Sequence, residues 1–368
     1  MNIRFLRAID KYFLWIFCVL FGILAKLKNK KYKEPKKILL IKLWAIGDSV
    51  LTLALLNGLR KEFPDAEIDV IAKKRNADVY TGNKFIDNVM LLNIWNLLKC
   101  FRKYDLCFDC EPYLNFSALL SVWSGRYRIG FSNQMRSVVY DRSVKFSNEQ
   151  HMVQNYLDMI RVLGKDYDTD KLVALAYSEE DKEFVDNILK NNRITKSDFV
   201  AGVSPGVAES VKSRMWPRFA WLADEIAGKY KAKIILIDSP SNIDICRQLE
   251  SRMKKKPVNL AGKFNLKQIF YLMTQLSIFI GNDTGPMHIA AAQGTKTIGL
   301  FGPNIPVLWR PYTKKGIALY HKVYCSPCII NEKGIMPECI HKGTHKYQMC
   351  MKKISVKEVM EAVERLRS

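Results

Sequence analysis

From Lys36 onward the chain repeats one pattern, an apolar run of strand length, a turn, and a helix-period stretch, and few folds accommodate it. The run Ile38 to Leu43 passes through a Gly-containing turn into a helical stretch from Ser49 to Phe63 that stops at Pro64. Strand candidates follow at Ile68 to Ala72, Val89 to Leu92 and Leu106 to Asp109, separated by helical stretches at Asn93 to Phe101 and Phe116 to Trp123. After a helix-like segment from Gln150 to Leu163 come a polar segment, Gly164 to Asp170, and a charged one, Ser178 to Lys190. A second series then begins, with strands at Phe199 to Val203, Lys233 to Ile237, Ser277 to Gly281 and Thr295 to Leu300. Its helices are read near Phe219 to Tyr230, Ile243 to Met253, Leu266 to Thr274 and Met287 to Gln293, and a last helix spans Ser355 to Arg367.

This order predicts two successive doubly wound α/β domains, Rossmann-like, each with a parallel sheet covered on both faces. A length of 368 residues agrees with two cores. The expected division is a membrane-associating segment over 1–34, an N-terminal domain over 35–185, a C-terminal domain over 186–345 and a terminal helix over 346–368. Open sheets of this kind bind ligands at the carboxyl ends of their strands, so an active site between the domains draws its residues from the loops after strands.

The net charge of +22 favours polyanionic partners: nucleic acid, anionic lipid headgroups or phosphorylated sugars. No zinc finger, helix-turn-helix or RNP-like strand is found, so no nucleic-acid partner is expected and the lipid and phosphosugar readings lead. The apolar run Tyr12 to Ala25 is framed by Arg4, Arg7 and Lys11 before it and Lys26, Lys28, Lys30 and Lys31 after it. A spanning helix needs about 20 apolar residues, so an interfacial anchor is expected ahead of a short spanning one, a cleaved signal or a core helix. That places the chain on the cytoplasmic face of the inner membrane, as a peripheral or monotopic protein.

Nine cysteines, an odd number, argue for a reducing compartment. Cys325, Cys328, Cys339 and Cys350 are denser than the rest, with His321, His341 and His345 nearby. With a single C-x2-C pair, reduced or occasionally disulfide-linked structural cysteines are expected ahead of a structural zinc or iron site. The alternating Asp166, Asp168 and Asp170 follow no apolar strand and read as a polar loop. No metal and no cofactor is therefore assigned.

Three motifs carry chemistry. The loop Leu43 to Asp48 follows the first strand and opens a helix, which puts Lys42 and Asp48 at the sheet edge. Asp48 is a candidate base for an attacking hydroxyl, with Lys42 holding the acceptor; the plainer reading is that Asp48 caps the helix. The run Gly281 to His288 also follows an apolar strand. Gly285 admits close backbone approach, Pro286 suits a first helical position, and the exposed amides make a diphosphate site with Asp283 free for sugar hydroxyls and His288 near the same end. The plainer reading is a capped helix with a packed histidine. The third motif, Ser204 to Gly206 followed by Lys212 to Pro217, offers Arg214 to neutralise a departing diphosphate, against the usual fate of such charges as solvated loop residues.

Taken in order, Lys37 to Thr52, Phe63 to Asp69, Gly125 to Phe131, Ser204 to Pro217, and Gly281 to Pro303 ending Gly-Leu-Phe-Gly-Pro resemble glycosyltransferase family nine, the ADP-heptose:lipopolysaccharide heptosyltransferases. The resemblance runs from about Lys36 to Arg367. It implies the GT-B fold, two Rossmann-like domains facing a central cleft, and inverting, metal-independent transfer of a sugar, heptose from ADP-heptose, to a lipopolysaccharide-core or similar glycolipid. Under it Asp48 matches the proposed base and Lys42 the strand lysine. Asp283, Thr284, Gly285 and His288 match the donor loop, and Ser204 and Lys212 join them on the donor side. Arg214 stands where the family usually has lysine, and Asp244 where a glutamate near the ribose is frequent, although Asp238 and Ser239 replace the usual glycine pair. Two alternatives stand beside this: a non-hydrolysing nucleotide-sugar epimerase, and a basic membrane-bound scaffold or polyanion binder without catalysis.

Overall fold

In the computed structural model, residues 8–26 and 31–368 are described. Arg4, Arg7, Lys28 and Lys30 of the expected anchor therefore lie outside the described residues. The chain divides into two compact units, Met1–Thr169 with Asn331–Gly334, and Asp170–Ile330 with Ile335–Ser368.

The first unit opens with a π turn over Asp10–Leu14 and helix α1, Trp15–Lys26. Strand β1, Lys37–Ile41, then leads into α2, Ile46–Glu62, followed by β2, Glu67–Ala72, and β3, Asn88–Leu91. After α3, Ile94–Lys99, come β4, Tyr104–Asp109, α4, Asn115–Ser124, β5, Gly125–Phe131, β6, Arg142–Val144, and α5, Met152–Arg161. The strands form one parallel sheet in the order β3-β2-β1-β4-β5-β6, with Ile38 paired to both Ile68 and Leu106. β1 is an unbroken apolar run because helices cover both faces of a parallel sheet.

The second unit begins with α6, Glu179–Asn191, then β7, Val200–Ser204, α7, Phe219–Tyr230, β8, Lys233–Leu236, α8, Ile243–Arg252, and β9, Val258–Asn259. It continues through α9, Leu266–Thr274, β10, Ile278–Asn282, α10, Gly285–Ala292, β11, Thr297–Phe301, α11, Pro306–Trp309, and β12, Gly316–Tyr320. Two helices close it, α12, Met349–Lys352, and α13, Val356–Arg367. This sheet is also parallel, in the order β12-β11-β10-β7-β8-β9, with Ile280 paired to Val203 and Ile298. α13 packs into this unit through Val359, Met360, Ala362 and Val363, in one core with Ala201, Leu222 and Ile298.

The alternation thus gives the doubly wound α/β fold that it predicts, with four strands added to the reading: β5, β6, β9 and β12. Strand order reverses between β1 and β4 in the first sheet and between β7 and β10 in the second, so each sheet has a crevice there at its carboxyl edge.

α1 joins the first unit by its small residues. Cys18 is buried and its thiol points to the Asn115 carbonyl at 3.6 Å. Four residues on, a Cβ on Gly22 would sit 2.6 Å from Val138 Cγ2, so only glycine permits this approach. Asp10 supplies the other tie, its carboxylate accepting from the Asn115 N–H at 3.1 Å and the Phe116 N–H at 2.8 Å. These are free amides of the first turn of α4, which a carboxylate satisfies both by hydrogen bonding and by charge. The opposite side of the segment leaves Tyr12, Phe13, Ile16, Leu20, Ile23 and Leu24 about half exposed or more. No helix among the described residues is long and apolar enough to cross a membrane.

Asp10→Ala should remove this cap at a cost of about 1 kcal/mol. Hydrogen exchange is expected to quicken at Asn115 and Phe116 while the amides of β1 and β2 keep their protection.

Candidate active site

In the first unit, the reversal between β1 and β4 gathers three charged side chains, Lys42, Asp48 and Glu111. Lys42 follows β1 directly and is fully buried. Its ammonium lies 3.4 Å from Glu111 Oε2 and 3.5 Å from Asp48 Oδ2, and donates to the Cys110 carbonyl at 3.3 Å. The Tyr156 ring covers it at 5.9 Å. Glu111, also buried, accepts at Oε1 from the Leu43 N–H at 2.6 Å and the Trp44 N–H at 2.8 Å. Burial works to lower the Lys42 pKa, but Glu111, Tyr156 and Asp48 outweigh it and hold the ammonium well above the ordinary lysine range. Burial pushes the Glu111 carboxyl up, against the opposing pull of Lys42.

Beneath this pair, Asp109 and Arg136 form a second fully buried ion pair at 3.0 Å, joined by Ser117 and Tyr140 hydroxyls on Asp109 Oδ2. Arg136 also donates to the carbonyls of Leu114 and Glu111, which fixes the backbone that presents Glu111. On the other side, Asn76 donates to the Lys42 carbonyl at 3.0 Å and to Ser49 Oγ at 2.7 Å. Between these supports Ala45 takes φ 65°, an uncommon left-handed value for a residue with a Cβ, and α2 begins. Asp48 sits in the first turn of α2, 27% exposed, whereas Lys42 and Glu111 are closed to solvent. Its one described ion-pair partner is Lys42.

In the second unit, the reversal between β7 and β10 brings the other two motifs together. Arg214 donates to the Asp283 carbonyl at 2.8 Å and pairs with Asp283 Oδ2. Asn304, three residues beyond the Phe301 end of β11, donates to the same Oδ2 at 2.8 Å. Asp283 is therefore engaged by protein groups, unlike the free carboxylate expected from the sequence. Asn282 links the two loops, accepting from the Trp216 N–H at 3.0 Å and donating to the Pro205 carbonyl at 2.9 Å. Arg214 keeps a buried Nε with no hydrogen-bond partner among the described residues.

The helix that follows is α10, with Thr284 at its N-cap position and proline in its first turn. The Thr284 side chain makes no cap bond, turning instead to the Asn282 carbonyl at 3.3 Å, and Thr284 and Gly285 are partly exposed. The helix thus lacks a side-chain cap, while the proline in its first turn and the buried His288 agree with the plainer reading of a helix with a packed histidine. His288 is buried one turn in, its ring edge-on to Trp309 at 6.2 Å.

The remaining candidates are placed as follows. Ser204 donates to Asp238 Oδ2 at 3.1 Å, and Asp238 also accepts from the Gly206 N–H at 2.7 Å and from Asn242 at 2.6 Å, so it ties the loop after β7 to the one after β8. Lys212 is exposed, and its carbonyl accepts from Gln348 at 2.9 Å. Asp244 is 85% exposed in a solvated pair with Arg247 on α8, apart from the Arg214 and Asp283 cluster. Asp166 and Asp170 are in different units and no group of metal-ligating side chains is gathered among the described residues. Sequence reasoning passed over Glu111, Asn76, Asn282 and Asn304, although Glu111 and Asn304 also lie just past strand ends.

Two parallel six-stranded sheets, each with polar side chains gathered where its strand order reverses, give the two-domain α/β fold of the GT-B class. The chain is a glycosyltransferase and belongs to glycosyltransferase family 9 (heptosyltransferase), whose model matches residues 94–337. It is 25% identical over 298 residues to the lipopolysaccharide core heptosyltransferase OpsX of Haemophilus influenzae, covering 76% of this chain and 83% of that one. In three dimensions it is similar to a family 9 glycosyltransferase from Veillonella parvula, with a TM-score of 0.75, 23% identity and coverage of 92% and 99%. It is also similar to Escherichia coli ADP-heptose lps heptosyltransferase II, with a TM-score of 0.69, 21% identity and coverage of 90% and 98%.

Removing one member of a buried ion pair strands the other charge at a cost of about 3–5 kcal/mol. Glu111→Ala is expected to lower denaturation midpoints by that order, and Lys42→Met with Glu111→Leu to restore most of the loss. A double variant no more stable than Glu111→Ala would mean that the pair is not what holds this loop.

Proposed function

We propose that the chain transfers heptose from ADP-heptose to a hydroxyl of a lipopolysaccharide-core or similar glycolipid acceptor, with inversion at the anomeric carbon and no metal ion in the chemical step. The observation that carries this reading is the Arg214 guanidinium, oriented by Asp283 and with an Nε–H that has no partner among the described residues, beside the N-terminus of α10, which has no side-chain cap. A fixed cation and the partial positive charge of a helix N-terminus stabilise a leaving diphosphate as charge develops on it, the task that a divalent cation performs in other transferases. Thr284 and Gly285 stand partly exposed at that terminus, and Lys212 adds positive charge on the donor side. His288, Ser204 and Asp238 support the donor loops from within, and Asp283 acts through Arg214, which it orients. The solvated Asp244 is placed at the outer margin of the nucleotide.

In the first unit Asp48 is the base. It is the carboxylate of the Lys42 cluster that reaches solvent, and accepting the acceptor's hydroxyl proton there releases the alkoxide that attacks the anomeric carbon. One bond to the incoming oxygen forms as the bond to the diphosphate oxygen breaks, which gives inversion. Lys42, sealed from solvent, serves the acceptor side by holding Asp48 in place.

The exposed apolar side of α1 and the net charge of +22 support association with an anionic bilayer, where the glycolipid resides. This is peripheral attachment on the cytoplasmic face of the inner membrane.

Radiolabelled or mass-resolved transfer from ADP-heptose to heptose-deficient lipopolysaccharide core tests the reading, with product anomeric configuration read by NMR. Arg214→Ala should lower turnover by about 10²–10³-fold and Asp48→Asn by about 10²–10⁴-fold. Activity with UDP- or GDP-sugars alone would overturn the donor, and retention of configuration would overturn the single displacement. Vesicles of phosphatidylglycerol should sediment the protein in low salt, and Phe13→Ser with Leu20→Ser should abolish that binding while transfer to a soluble core oligosaccharide persists.

A further inference from the structure

No side chain of α3 in the first unit is fully buried. Its apolar residues face water instead: Ile94 is 63% and Trp95 72% exposed, and Leu98 and the following Phe101 are each more than half exposed. Leu91 before the helix and Trp123 at the end of α4 extend the surface. Single exposed apolar residues are ordinary, but six together, two of them tryptophan, form a patch of the kind that marks an interaction surface.

Hydrogen bonds hold the patch in shape. The Trp123 indole N–H donates to the Leu97 carbonyl at 2.7 Å, taking one of the carbonyls that the last turn of a helix leaves open. The Phe101 and Trp123 rings meet at 4.4 Å between centroids, and the Arg102 N–H donates to the Trp123 carbonyl at 2.9 Å. At the other end Asn93 caps the helix by accepting from the Asn96 N–H at 2.9 Å, and Asn96 donates to the Leu91 carbonyl at 2.8 Å. Leu97 turns inward, to the core of Leu39, Ile41, Cys100 and Leu120, which leaves the remaining apolar side chains on the outer side.

α3 joins β3 to β4 and α4 joins β4 to β5, steps in one direction across the sheet, so right-handed connections put both helices on one face. α1 lies on the same side, because Cys18 packs on Ala118 of α4 together with Leu119 and Val122. α4 is therefore flanked by two exposed apolar surfaces, one on α1 and one on α3. The charge here has one sign. From Asn88 to Tyr104 the charged residues are Lys99, Arg102 and Lys103, and from Pro112 to Tyr140 they are Arg126, Arg128 and Arg136, with no carboxylate in either stretch. Lys103 is taken up by Glu67 and Asp69, whereas Lys99, Arg102 and Arg126 are exposed.

We propose that the α3 patch, with Lys99, Arg102 and Arg126, inserts into an anionic lipid bilayer as a second contact beside α1. This rests on the bilayer association proposed for α1 and adds a separate surface to it. Tryptophan suits the boundary between headgroups and acyl chains, and the neighbouring cations meet anionic headgroups. A second copy of this chain fits worse, since a two-fold interface sets the patch against itself and brings like charges together. One weak membrane signal gives reversible attachment, whereas two acting together hold. α3 leaves the carboxyl end of β3 and leads back to the amino end of β4, so Trp95 and the Phe101–Trp123 pair mark opposite edges of the sheet. Contact along that length lays the strands of the first sheet along the bilayer, and the carboxyl edge that carries Asp48 opens along the headgroups.

The test measures partition of the full chain onto phosphatidylglycerol vesicles by sedimentation, with phosphatidylcholine vesicles as the zwitterionic control. Trp95→Ser with Leu98→Ser is expected to weaken partition at least about tenfold while transfer to a soluble core oligosaccharide is unchanged. Dibromo-phosphatidylglycerol should quench the tryptophan emission of bound wild type, and Trp95→Phe, which keeps an apolar ring in place, should lower the quenched fraction. If the serine pair fails to fold, that quenching decides alone. Wild-type partition in the serine pair, or quenching unchanged by Trp95→Phe, overturns the second contact, and it leaves the α1 contact standing where Phe13→Ser with Leu20→Ser still loses binding. No binding of wild type to vesicles overturns both. Equal partition onto the two kinds of vesicle overturns the anionic headgroup as partner. A dimer in solution that the serine pair dissociates assigns the patch to a second copy and overturns the proposal equally.

Discussion

Burying Lys42 governs the first unit. Removing an ammonium and a carboxylate from water costs several kcal/mol for each ion, and the attraction between them offsets this only when the remaining donors and acceptors are also satisfied. Here they are: Glu111 takes the Leu43 and Trp44 N–H groups on one oxygen and Lys42 on the other, and Lys42 finds the Cys110 carbonyl and Asp48. Each of these bonds fixes backbone as well as charge. They pin the connection between β1 and α2 tightly enough to hold Ala45 at φ 65°, a conformation costing on the order of 1–3 kcal/mol that the loop would otherwise relax. Asp48 is then delivered in the first turn of α2 as a consequence of that geometry.

The second unit solves the same problem differently. Its polar groups at the strand ends are mostly neutral or singly charged: Asn282 spans two loops by bonding backbone on each, and Asp238 gathers Ser204, Gly206 and Asn242. Arg214 and Asp283 form the charged pair, and it is incomplete, because Arg214 Nε has no described acceptor. An unsatisfied buried N–H on a guanidinium costs stability, on the order of 1–3 kcal/mol, and such a cost persists where a ligand is to supply the missing acceptor. The two clusters thus differ in kind: one is closed on itself except at Asp48, and the other leaves Arg214 Nε without an acceptor among the described residues.

Much of this was legible in the sequence where hydrophobic period was the signal. β1, β2, β8, β10 and β11 fall within a residue or two of the apolar runs, and Asp48 and Asp283 were found because they follow such runs directly. The misses share a physical cause. β5 carries Arg126 and Arg128, which break an apolar pattern, yet Arg128 is 2% exposed because Asp141 meets its Nε at 2.9 Å and its terminal nitrogen at 3.2 Å. Charge compensated by a residue thirteen positions away cannot be seen in a window of seven. β12 is an edge strand, half-buried throughout, so its apolar signal is diluted. Likewise the charged stretch before β7 is α6, opened by a Ser178–Asp181 capping box, whose buried face rests on Val185 and Leu189 amid many charges. Glu111 and Asn304 were missed because their partners, Lys42 and Asp283, are distant in sequence and adjacent only once the parallel strands are in register.

The surplus of positive charge and the local electrostatics of the crevices act on different scales. At physiological ionic strength a net charge of +22 is felt over about 8 Å beyond the surface, enough to enrich the protein near anionic lipid or phosphorylated saccharide but blind to where a phosphate sits. Contact selectivity instead requires donors held in fixed directions. Arg214 meets that requirement because Asp283 and the braced loop between Lys212 and Trp216 remove its rotamer freedom before any ligand arrives. Lys212, exposed and without such anchoring, contributes charge without direction. The difference between these two cations, two residues apart on one loop, is set by neighbours contributed from β10 and from the segment before α12. The loops that the parallel register brings together therefore set the freedom of each side chain: the same arrangement buries Lys42 in the first unit and fixes Arg214 against Asp283 in the second.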